Sequence, residues 1–190
     1  MSEAIENNKE IVKKKRTNSK KKGNGNELRI AKLLSEHLAP LKFIRTPGSG
    51  AFLGGKNFSV RQDLFAHEAM KVFVGDIVCT NETVFDYDFR FVIECKHYKT
   101  PDRLEQLMSG KSLVYKWIEE VMVDCVKVGR QGIVVFKWNN TPFYCAVKPD
   151  VELPDGIAIM VLPTGEKLCY FQELLEQKDF WIVQSKENSI

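Results

Sequence analysis

In the run FVIECKHYK, Phe91–Lys99, Glu94 and Lys96 stand one residue apart at the end of an otherwise apolar stretch. Charge is costly there unless it is paired or bound. Side chains of a strand alternate, so Glu94 and Lys96 share one face while Ile93 and Cys95 take the other. Upstream, Asp76 follows Gly75 at the opening of another apolar run. If the two runs pair as neighbours, Asp76 and Glu94 face each other near the strand ends, and two carboxylates so placed repel unless a cation neutralises them. Mg²⁺ takes oxygen ligands in near-octahedral geometry and keeps several waters, and Mn²⁺ is the expected substitute. Asp76, Glu94 and the main-chain carbonyl of Cys95 would supply three oxygens to it. Lys96 then orients or helps deprotonate an attacking water, or stabilises charge developing on a phosphate. Alone, the pair reads as a strand-edge ion pair beside an unrelated turn aspartate. A further acid, Glu27, changes the balance because it falls in the same ordered series.

Several elements must position these groups. NELRIAKLLSEHLAP reads as a helix with Asn26 as N-cap and Pro40 as its stop. At 100° per residue it gathers Ile30, Ala31, Leu34 and Leu38 on one side, and Glu27 points into that apolar face. LKFIRT is a short strand, and PGSGAFLGG a loop in which Gly48 and Gly50 permit close backbone approach to a ligand. KVFVGDIVCT and FRFVIECKHY read as neighbouring antiparallel strands. A long helical segment follows, with Asp102 as candidate cap and Gly110 as candidate break. GIVVFKW, NNTP and FYCAV form a hairpin; beyond Pro149 come a strand IAIMVL, a short helix around YFQELLEQK and a final FWIV.

A chain of 190 residues with 44% hydrophobic content fits one domain with its own core. Its organisation reads as a disordered basic tail at 1–22, a main domain at 23–150 with an insertion at 51–74, and an extension at 151–190 packed on or continuing the domain. No apolar stretch is long enough to span a bilayer, and charge occupies the place of a signal peptide's apolar core, so the expectation is a soluble protein of the cytoplasm, nucleus or viral-host cell interior. The five cysteines form no CxxC and sit among apolar residues, as buried free thiols do. Residues 1–22 carry 8 Lys+Arg against 3 Asp+Glu, leaving 20 and 22 for the remainder, a balance of −2. Nucleic acid is the partner such a tail fits, with Lys20, Lys21 and Lys22 as phosphate contacts; a solvated tail or a nuclear-import signal are alternative readings of the same run.

The ordered set KGNGNE (22–27), FIRTPGSG (43–50), GDIV (75–78), FVIECK (91–96) and GIVVFKWNNTPFYCAV (132–147) resembles the PD-(D/E)xK nuclease superfamily, and within it the archaeal-type Holliday-junction resolvases. That resemblance implies an α/β fold: a restriction-endonuclease-like mixed β-sheet flanked by α-helices. It also implies a homodimer and Mg²⁺-dependent cleavage of four-way DNA junctions, by in-line attack of metal-activated water. By position it makes Glu27 the helix acid near the metal, Asp76 and Glu94 ligands, and Lys96 the catalytic lysine. Ser49 matches a loop serine that positions DNA or assists catalysis; Arg45 and Lys137 match basic residues that meet DNA. Leu28 stands where such resolvases often carry arginine, and the insertion and the C-terminal segment are also departures.

Two competing readings remain at this stage. One is another nuclease of the superfamily, repair, restriction-like or exonucleolytic, although Gln106 is followed four residues later by Gly110 rather than by the tyrosine that RecB-type exonucleases often carry. The other is a non-catalytic nucleic-acid-binding module. His37, His67 and His97 read as surface or bystander residues, Trp117 and Trp138 as core, and Arg130 as surface charge or a phosphate contact.

Overall fold

The computed structural model describes the backbone of residues 19–46 and 74–184, and the side chains of 23–46 and 74–183. In chain order the elements are α1 (Ser19–His37), β1 (Phe43–Arg45), β2 (Ile77–Cys79), a 3₁₀ turn (Glu82–Phe85), β3 (Tyr87–Phe89) and β4 (Phe91–Tyr98). They continue with α2 (Leu104–Met108), α3 (Leu113–Val128), β5 (Gln131–Trp138), β6 (Tyr144–Val147), β7 (Ile159–Val161), β8 (Lys167–Tyr170), α4 (Phe171–Leu175), α5 (Lys178–Trp181) and β9 (Ile182–Gln184).

Among the described residues seven strands form one sheet in the order β1-β2-β4-β5-β6-β8-β7, and β3 pairs with β9 in a second. β4 and β5 run parallel, while the other paired strands are antiparallel. A parallel pair needs a crossover, and α2 with α3 supplies it. The result is the restriction-endonuclease-like mixed sheet flanked by helices.

Strand alternation divides the core between the two faces. Ile77, Ile93, Ile133 and Val135 pack with Ile30, Leu34 and Leu38 of α1 and with Phe171 and Trp181; Val92, Val134 and Phe136 pack with Val114, Trp117, Ile118 and Val121 of α3. Each such fully buried aliphatic chain contributes about 1.5–3 kcal/mol. α3 lies close on β5 at Gly132, where a Cβ would come within 2.9 Å of Cys125 Sγ and Val121 Cγ1. Among the described residues no helix is long and apolar enough to cross a membrane.

Some boundaries differ from the sequence expectation. α1 begins by Ser19, so Asn26 lies inside it and is buried rather than an N-cap. Lysine is a good helix former, and the run 20–22 propagates the helix past the glycines that follow. The long helical segment breaks at Gly110, whose φ is +72°. Asp102 is the N-cap of neither helix; Ser112 caps α3, and Asp102 Oδ2 supports that end by accepting from Leu113 N at 2.9 Å and from Ser112 Oγ at 2.5 Å. FWIV is half helix, since Phe180 and Trp181 close α5 before β9 begins.

Candidate active site

β4 is apolar as far as Ile93 and then changes character. Phe91, Ile93 and Cys95 face α1; the alternate positions Val92, Glu94 and Lys96 face α3. Lys96 Nζ lies 2.7 Å from Glu94 Oε1 and 3.0 Å from Oε2 of Glu120 on α3. The other Glu120 oxygen is 3.7 Å from Lys116 Nζ, one helical turn back.

Asp76 is held by its backbone before its side chain is considered. Gly75 adopts φ +85°, and a Cβ there would sit 2.9 Å from the Ile93 carbonyl oxygen. Asp76 N–H donates to that same carbonyl at 2.8 Å, and the Asp76 carbonyl accepts from Thr46 N–H at 2.9 Å, fixing the residue between the β1 and β4 edges. Its Oδ2 then accepts from Cys95 N–H at 2.8 Å.

Burial pushes the Asp76 carboxyl up to about 7; the neighbouring Glu94 charge and, more weakly, Glu27 push the same way, against the Cys95 N–H and Lys96. Burial also raises Glu94, helped by Asp124 and Glu120 and opposed by Lys96. For Lys96, burial disfavours the charge, yet Glu94 and Glu120 outweigh it and hold the amine above its ordinary value. In the metal-free protein the two carboxylates therefore favour the ammonium form of Lys96.

Glu27 is buried on α1 and forms an ion pair with Arg45 on β1. Its charge reaches Asp76, but it does not complete a side-chain cage: among the described residues no three His, Cys, Asp or Glu side chains group closely enough to hold an ion. The Cys95 thiol is no candidate ligand, because burial first, and then Asp76 and Glu94, raise it well above the usual range. In a strand a residue's N–H and C=O point to the same side, so the Cys95 carbonyl lies on the edge where its N–H meets Asp76. Two carboxylates and a carbonyl form an oxygen-only donor set, which suits a hard divalent ion that keeps water in its remaining positions. The burial of Asp76 and the push of the Glu94 charge upon it are what such an ion would relieve.

Other sequence candidates have contacts of their own. Lys137 Nζ stands 5.1 Å from the centre of the Phe143 ring, and the Arg29 guanidinium 5.5 Å from the same ring. Arg130 pairs with Glu82 at 2.6 Å, His97 Nε2 meets Asn139 Oδ1 at 3.2 Å, and both Trp117 and Trp138 are core residues. Gly48, Ser49, Gly50, His67, residues 1–18 and 51–73, and the side chains of Lys20, Lys21 and Lys22 lie outside the described residues.

Glu120 is the site neighbour that sequence reasoning missed. With Lys116 it has the spacing of a solvent-facing pair on a helix. A signal was nevertheless present, since Glu120 and Asp124 both fall on one border of the buried stripe Trp117, Ile118, Val121 and Cys125.

Residues 18–180 match the family model described as "Phage putative PDDEXK endonuclease". No match was found among curated proteins or among solved structures.

Proposed function

The chain belongs to this phage PDDEXK endonuclease family, and from that premise we propose a Mg²⁺- or Mn²⁺-dependent endodeoxyribonuclease that cuts branched DNA, acting as a homodimer on four-way junctions. The observation that carries the metal reading is the buried Asp76 carboxyl, raised by its burial and by the neighbouring Glu94 charge, with Lys96 paired to Glu94 beside it. The junction preference is supported by the ordered motif series between Lys22 and Val147.

In this reading Asp76, Glu94 and the Cys95 carbonyl hold the ion. When bound, the cation supplies a Lewis acid and a positive charge that offsets the phosphodiester anion. Lys96, held beside the site by Glu94 and Glu120, donates to the water or to the phosphate oxygens and stabilises the charge that builds as the P–O bond breaks. Glu27 is the helix acid near the ion, and it pairs with Arg45. Ser49, Gly48 and Gly50 approach the DNA backbone, and Lys137 with Lys20, Lys21 and Lys22 adds phosphate contacts.

The test is cleavage of four-way junction, flap, linear duplex and single-stranded DNA, with Mg²⁺ or with EDTA. Junction cutting with Mg²⁺, lost in Glu94→Gln and Lys96→Met by about 10²-fold or more, is the expected result. Preference for linear ends rejects the resolvase reading. Salt-sensitive binding with no cutting in any metal leaves a binding module instead.

A further inference from the structure

Lys96 is bracketed by two carboxylates from different elements, Glu94 at 2.7 Å and Glu120 at 3.0 Å. A divalent ion taken up by Glu94 and an ammonium on the same carboxylate repel each other across a few ångströms in a poorly solvated site. Either the lysine withdraws or another anion balances it. Glu120 is already within hydrogen-bond distance, on the rigid sixteen-residue helix α3, and its second oxygen is steadied by Lys116.

We propose that Glu120 is a positioning residue: it is the anion to which Lys96 transfers when Glu94 turns to the cation, keeping the ammonium at the reacting phosphate. This inference rests on the metal reading above. Glu120 touches neither substrate nor ion; it acts through Lys96. Without it, Lys96 stays clamped on Glu94 and competes with the cation for that carboxylate.

Asp124 provides the control. Its charge acts on Glu94 through space, as Glu120's does, but its side chain is ion-paired with Lys127. The experiment is Mn²⁺ titration of the full chain without DNA, by calorimetry and by the EPR signal of free Mn²⁺. Glu120→Gln is expected to weaken Mn²⁺ binding about 10–100-fold, the usual cost of losing a partner that orients a ligand. Asp124→Asn should cost clearly less. In a Lys96→Met background, where no ammonium competes, the Glu120→Gln penalty should shrink to that of Asp124→Asn. Equal penalties for Glu120→Gln and Asp124→Asn, or an undiminished Glu120→Gln penalty with Lys96→Met, overturn the proposal while leaving the metal reading intact. Mn²⁺ binding that is absent in the wild type, or unaffected by Asp76→Asn, overturns both. Circular dichroism and urea midpoints check that each variant is folded, which Glu120's half-exposed position favours.

Discussion

At the scale of the residue, the site is defined by how badly Asp76 tolerates its own charge. Its carboxyl rises from 3.8 to about 7, so the folded protein holds a proton that the unfolded chain releases across that interval. The associated stability is fully present below about pH 4 and is lost as pH rises through 7, amounting to a few kcal/mol at most. In EDTA, the wild type is therefore expected to lose urea resistance between about pH 4 and 7. Asp76→Asn removes the buried charge and keeps an oxygen for the Cys95 N–H, so it should be the more stable protein at pH 8, with the gap narrowing as pH falls towards about 4. The same variant should be inactive. Parallel stability profiles for the two proteins would show that the carboxylate is solvated and not crowded. Glu94 and Lys96 were legible because alternation in an apolar run leaves little choice of face; Glu120 was not, because its contact depends on how α3 is rotated against β4.

At the scale of the element, the device that sets Asp76 is the tight approach of Gly75 to β4. A side chain at this position meets the Ile93 carbonyl oxygen at 2.9 Å and Val92 Cγ1 at 3.0 Å, and must also adopt φ +85°. Gly75→Ala is expected to cost about 1–3 kcal/mol through strain. It should also weaken Mn²⁺ binding, because the carbonyl it displaces is the one that receives Asp76 N–H. Urea unfolding together with Mn²⁺ titration checks both, and stability loss with unaltered Mn²⁺ affinity would separate the glycine from the site. β2, β4 and the β5–β6 hairpin could be read from apolar, β-branched runs with a turn between them. β8 could not, since Lys167–Tyr170 is short and half polar. Nor could the β3–β9 pair: each strand has three residues, and Tyr87 meets Gln184 from the far end of the chain. Local pattern carries no information about such a partner.

At the scale of the whole molecule, residues 151–184 add strands to the sheet that carries the site. β8 continues the main sheet beyond β6, and fully buried Trp181 stacks on Phe89 and meets Phe91, Phe171 and Phe180 edge-on. Charge, in contrast, is divided along the chain: the balance from residue 23 onward is −2, while residues 1–22 carry +5. A body of that sign, with an acidic site, gains little from long-range attraction to a polyanion, so the basic segment is expected to supply most of the electrostatic affinity for DNA. Removing residues 1–18 deletes five Lys or Arg and leaves α1 intact. The slope of log K against log salt should flatten by about 0.9 for each deleted cation that meets a phosphate. The DNA-saturated cleavage rate should hold, because Asp76, Glu94 and Lys96 keep their supports in β1, β4 and α3. A flattened slope with the rate preserved assigns the segment to capture and the sheet edge to chemistry. An unchanged slope would move DNA attraction onto the folded surface, where Arg29, Arg45 and Lys137 become the next residues to neutralise.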